Sequence, residues 1–147
     1  MDYSEKNIIE EMTQVIDWYY DQSTVAPPDD LLDAEDRLSA FAYYLSDIIH
    51  NGRKEFETAE IVRKVAEARS EVSYLTANYS QKMAEKKAII QSENLRRKER
   101  GLYADVHGLK AKLDQANRVL DSIRTRISWI KQEKQLTAQT QPSNEQH

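Results

Sequence analysis

Leu102, Val106, Leu109, Leu113, Ala116, Leu120, Ile123, Ile127 and Ile130 follow one another at alternating steps of four and three residues without a miss. Residues at that spacing fall on one face of an α-helix, whereas in a strand they would be scattered over both faces. The segment is therefore read as helical. A sustained seven-residue repeat also asks for a second helix to cover its seam, from the same chain or from another. Gly108 lies between seam positions and costs about 1 kcal/mol relative to alanine in a helix interior. A bend near Gly101 to Gly108 is the local alternative to one long helix.

Upstream, Arg53 to Arg100 contains neither glycine nor proline. Ile61, Val65, Ala68, Val72, Leu75 and Tyr79 repeat the heptad rhythm until a four-four step at Met83, which places a turn or stutter between Asn78 and Glu93. Nearer the start, Ile8, Ile9, Met12, Val15, Ile16 and Tyr19 give an amphipathic helix over about Tyr3 to Gln22. Ser23 to Pro28 ends it. Pro28 followed by Asp29 and Asp30 suits the first turn of a second helix, because proline is tolerated there and carboxylates favour the positive end of the helix dipole. That helix carries Leu31, Ala34, Leu38, Phe41, Leu45 and Ile48 and is expected to stop at Asn51-Gly52. The aromatic clusters Trp18-Tyr19-Tyr20 and Ala42-Tyr43-Tyr44 are expected to pack these two helices on each other or on the long coil.

The fold class that follows is all-α: a long helical hairpin or coiled coil with two shorter amino-terminal helices. The expected organisation is an acidic helical pair over 1–52, a coiled-coil region with a basic middle over 53–134, and a loose tail over 135–147, where periodicity is lost and few apolar groups remain to offset the entropy of ordering.

Charge divides the chain in the same way. Residues 1–50 carry 12 acidic and 2 basic side chains, and residues 51–134 carry 19 basic and 12 acidic. An acidic head before a basic body suits either a polyanionic partner or pairing between the two parts. The chain has no cysteine, which excludes disulfides, thiolate metal sites and cysteine nucleophiles. The acidic start lacks the positive region of a signal peptide, and no apolar run approaches the ~20 residues that span a bilayer. A cytoplasmic protein without membrane contact is expected.

Little catalytic chemistry is legible. His50, His107 and His147 are scattered, without partners at metal-ligand spacing. The acidic pairs Glu10-Glu11, Asp29-Asp30 and Glu35-Asp36 lie on solvent-facing helix surface, and there is no glycine-rich phosphate loop or nucleophile motif. No enzyme, metal or cofactor is expected. The most pointed chemistry is the basic run Lys82, Lys86, Lys87, Arg96, Arg97, Lys98 and Arg100, set against only Glu85, Glu93 and Glu99. Cations that follow a phosphate backbone, near Tyr74, Tyr79 or Tyr103 as stacking platforms, are what single-stranded nucleic acid requires. The alternative is a solvated coiled-coil flank whose charges pair across helices.

Three segments, Asp33 to Leu45 (DAEDRLSAFAYYL), Glu60 to Ser80 (EIVRKVAEARSEVSYLTANYS) and Leu120 to Lys131 (LDSIRTRISWIK), together about a third of the chain, resemble the UvsY-like recombination mediators of T-even-type phages. The resemblance implies a homo-oligomer that binds single-stranded DNA and helps load a strand-exchange recombinase, with the recombinase or a single-strand-binding protein as a further partner. The family's basic pair would fall on Ser73 and Leu75, which carry no charge, so the resemblance requires other cations: Arg63, Lys64 and Arg69, or, preferred, the Lys82 to Arg100 group. The oligomer seam is expected at Leu102, Val106, Leu109, Leu113, Leu120, Ile123, Ile127 and Ile130. The competing reading is a coiled-coil scaffold, adaptor or inhibitor with no affinity for nucleic acid.

Overall fold

The computed structural model describes residues 3–22 and 24–140. Four helices account for nearly all of them: α1 (Tyr3–Gln22), α2 (Pro28–Thr76), α3 (Gln81–Gln91) and α4 (Glu93–Thr140). The described residues contain no strand, so the chain is all-α. No helix among them is long and apolar enough to cross a membrane.

The first helix and the start of the second fall where the apolar spacing and the prolines place them. Pro27 caps α2, its carbonyl accepting the N–H groups of Asp30 and Leu31. Pro28, with no N–H to leave unsatisfied, occupies the first helical position. The end of α2 is different, because the helix runs through Asn51-Gly52 to Thr76. No glycine adopts positive φ, so this pair never makes the left-handed turn that ends a helix. Gly52 serves packing instead: a Cβ there would stand 3.0 Å from Val106 Cγ2. Gly101 and Gly108 also lie within helix, in α4, with open space beside them. α4 extends to Thr140, so the expected loose tail is helical at least that far, with the Thr137 and Thr140 hydroxyls donating back to the carbonyls of Glu133 and Leu136. Residues 141–147 lie outside the described residues.

Contacts divide the chain into two units, one comprising residues up to Ser46 together with Lys112 onward, the other Asp47–Ala111. The first unit is built from α1, the early part of α2 and the later part of α4. Met12, Val15 and Ile16 of α1 are buried, with Leu31, Leu38 and Leu45 of α2 and Ala116, Val119, Leu120, Ile123 and Ile127 of α4. Each large aliphatic side chain so buried stabilises the unit by about 1.5–3 kcal/mol. In α2 the buried stripe drifts: Ala42 is buried where the heptad pointed to Phe41, because 3.6 residues per turn do not keep a strict seven-residue register. The drift leaves Tyr43 and Tyr44 exposed, edge to face with each other at 5.8 Å, and corrects their expected packing role. Arg124 of α4 pairs with Glu35 of α2 at 2.8 Å, and Arg126 donates to the Thr24 carbonyl at 2.7 Å, so basic α4 and the acidic head do meet within this unit.

The second unit joins the later part of α2 to α3 and the early part of α4. Its paired residues step down one segment as they climb the other: Tyr74 with Gln91, Glu67 with Ser92 and Arg96, Arg63 with Glu99, Phe56 with Tyr103. The segments therefore run in opposite directions. Ile49 and Leu109 are buried in it, and between α2, α3 and the start of α4 the buried residues are small, Ala84, Ala88 and Ser92, beside a charged network. Arg63 donates to Glu67 (2.9 Å) and to Glu99, while Arg96 and Ser92 donate to the other Glu67 oxygen at 2.6 and 2.7 Å. Burial would raise the Glu67 carboxyl, but the bonds from Ser92 and Arg96 and the charge of the two arginines outweigh it and hold the group below its usual value. The Arg63 guanidinium is raised, chiefly by its bond to Glu99.

Candidate nucleic-acid interface

The turn between α2 and α3 is fixed by backbone chemistry. Asn78 adopts left-handed φ of 67°, its N–H reaches the Leu75 carbonyl, and the Tyr79 N–H reaches Tyr74, the bond pattern of a Schellman stop with asparagine in place of glycine. Ser80 then caps α3, its hydroxyl accepting the Met83 N–H at 3.3 Å. This tight reversal sets Tyr79 edge to face against Tyr74, ring centroids 5.5 Å apart. The Tyr74 hydroxyl donates to Gln91 at 3.1 Å.

Lys87, one turn and a half into α3, stands over both rings, its Nζ 5.0 Å from the Tyr79 centroid and 5.7 Å from that of Tyr74. Lys82 and Lys86, a turn apart on α3, are exposed. Because Ala84 and Ala88 are the buried residues of α3, the helical period turns Lys86 directly outward. The Gln81 side-chain amide nearby donates to Glu71 and Glu85 at 2.6 and 3.0 Å, so two carboxylates border the cluster.

The remaining cations of the basic run differ in their surroundings. Arg96 is committed to Glu67, and Arg97 forms an exposed pair with Glu93 at 2.6 Å, the kind of contact worth about 0.3–0.5 kcal/mol. Lys98 lines a shallow depression with Glu55, Thr58 and Leu95, and Arg100 lines another with Ile89, Ile90 and Glu93. Among the described residues, Lys82, Lys86, Lys87, Lys98 and Arg100 have no carboxylate within ion-pairing distance. Of the second candidate group, Arg63 is locked in the network and Lys64 pairs with Glu60 at 2.7 Å, which lowers the Glu60 carboxyl. Arg69 is exposed.

The apolar seam of α4 is largely used within the single chain. Leu109, Leu120, Ile123 and Ile127 are buried, and Leu102, Val106, Leu113 and Ile130 are half-buried. Among the described residues no cluster of histidine and carboxylate side chains could hold a metal. His50 and His107 are exposed, His107 against the Tyr103 ring at 4.2 Å between centroids, and His147 lies outside the described residues. Sequence reasoning missed two features here. One is the Arg63–Glu67–Ser92–Arg96–Glu99 network, of which only the four-residue spacing of Arg63 and Glu67 was visible. The other is the seating of Lys87 over two tyrosines.

Compared with protein-family models, curated proteins and solved structures, the chain matches none.

Proposed function

We propose that this protein is a non-enzymatic recombination accessory of the mediator type, which binds single-stranded DNA as a homo-oligomer and helps load a recombinase. In this reading the second unit is a coiled-coil hairpin whose turn carries the DNA contact, and the acidic first unit faces a recombinase or single-strand-binding protein. The supporting observation is the cluster of Lys87 over Tyr74 and Tyr79, with Lys82 and Lys86 on the same helix. Exposed lysines supply phosphate contact without sequence preference, and tyrosine faces supply base stacking worth about 1–3 kcal/mol per base. Tyr79, 42% exposed, is the platform open to a base, with Tyr74 bracing it from behind.

The test is fluorescence anisotropy of a labelled single-stranded oligonucleotide at several salt concentrations, with duplex DNA as comparison. Salt-sensitive preference for the single strand is expected. Changing Lys82, Lys86 and Lys87 to alanine should flatten the salt slope by about 0.7 for each phosphate no longer neutralised, and Tyr79→Ala should weaken binding roughly 5-fold to 100-fold. Changing Arg97, Lys98 and Arg100 instead should act less strongly on the stacked site.

The second reading, a coiled-coil scaffold, adaptor or inhibitor, is favoured by the carboxylates of Glu71 and Glu85 beside the cluster. It requires that no oligonucleotide bind even at low salt.

A further inference from the structure

The heptad stripe of α2 has no partner within its unit. Ile61, Val65 and Val72 are 63%, 44% and 63% exposed, and Leu75 is also exposed. Arg63, Glu67 and Tyr74, which make the contacts to α3 and α4, lie about half a helical turn away from this stripe at 3.6 residues per turn. The most regular apolar seam of the unit therefore faces away from everything else in it. Isolated surface aliphatics need no explanation, but a continuous stripe at heptad spacing is a surface built for another helix of the same period.

We propose that this stripe is the interface with a second copy of the chain, in which two α2 segments pair antiparallel about a two-fold axis passing between Ala66 and Glu67. The inference rests on the homo-oligomer reading and names its face. Charge complementarity selects the occupant and its direction. With Val65 and Ala68 in core positions, Lys64 and Glu71 flank the stripe on one side and Val62 and Arg69 on the other. In a parallel pair each Lys64 would meet the other copy's Arg69, a like-charge contact. In the antiparallel pair Ile61 packs on Val72 of the second copy and Val65 on Ala68, and each Lys64 meets the opposite Glu71. The interface is self-complementary, as a two-fold dimer requires, and the small Ala68 at its centre lets the helices approach closely. Among the described residues Lys64 holds only an exposed pair with Glu60, and Glu71 accepts only from Gln81, so both are available to a second copy.

Sedimentation velocity of the full-length protein over about 1–100 μM, the range of a short helical interface, should show self-association. Changing Val65 and Val72 to aspartate should abolish it without loss of helical circular dichroism, since both side chains face solvent in the single chain. Lys64→Glu should weaken association about tenfold, and adding Glu71→Lys should restore it. The cysteine-free chain also permits a direct reading of direction. A mixture of I61C and V72C proteins should form a disulfide-linked pair, while V72C alone should not, because its two copies stand 11 residues of helix rise apart. Cross-linking of V72C alone overturns the antiparallel pairing. An oligomer that survives the aspartate variant overturns the face while leaving the homo-oligomer reading intact, and a wild-type protein that stays monomeric throughout overturns both.

Discussion

Val106 Cγ2 lies 3.0 Å from the point where a Cβ on Gly52 would stand, closer than nine in ten real contacts of that kind. Glycine in mid-helix costs about 1 kcal/mol relative to alanine, and here it admits a neighbouring side chain that a methyl group would press. Gly101→Ala and Gly108→Ala meet no neighbour and should each stabilise the protein by about 0.5–1 kcal/mol. Gly52→Ala should gain none of this, because Val106 is β-branched and stiff in its helix. Thermal melts of the three variants measure the difference, and an equal gain at residue 52 would show that Val106 yields freely.

Acid should loosen the second unit through Glu67. Its carboxyl is held below the unfolded value of about 4.5, so the stability it contributes is fully present above that pH and is lost as pH falls through the lower folded value. Glu67→Gln keeps the shape but leaves two arginines without their shared carboxylate. It should cost about 1–3 kcal/mol at neutral pH, and its melting temperature should fall less steeply than that of the wild type below pH 4.5.

The turn at Asn78 makes a conformational prediction. Asparagine tolerates left-handed φ, glycine does so without strain, and alanine pays about 1 kcal/mol or more. Denaturant titration should place Asn78→Gly at or above the wild type and Asn78→Ala below it. The alanine variant should also weaken oligonucleotide binding if Tyr79 contacts the bases, since its placement depends on this reversal.

Ile123 is fully buried in the first unit. Ile123→Ala should cost about 2–5 kcal/mol, and Ile123→Asp more, with loss of helical signal. Mass and circular dichroism measured together distinguish this from disrupted assembly, in which mass would fall while the helices remain.

Most of the helical architecture could be read from spacing alone. α1 and the start of α2 follow from the apolar period, the paired prolines and the aspartates behind them, all local signals. The reversal after α2 was visible as a break in the heptad. Asn51-Gly52 misled because an isolated glycine reads the same whether it ends a helix or lets a distant valine approach, and only tertiary structure separates the two. The two apolar seams look alike in sequence, yet the one in α4 is largely covered by its own chain and the one in α2 is bare. Spacing shows that a seam needs a partner and is silent on which segment supplies it. The basic run was legible as composition, whereas its division into cations committed to carboxylates, such as Arg96, and cations left to solvent, such as Lys82, depends on contacts between residues far apart in the chain.

The charged network also acts as an alignment key. The buried Ala84, Ala88 and Ser92 resist sliding only weakly, because successive turns there present similar small side chains. A slip of one turn would set Arg63 opposite Tyr103 in one direction and opposite Leu95 in the other, where Glu67 would also face Ala88. Either would strand charge in a partly dry interior, which costs more than the aligned pairs contribute. The network sets where along α2 the returning helix must stop, and so holds Lys87 level with its two tyrosines.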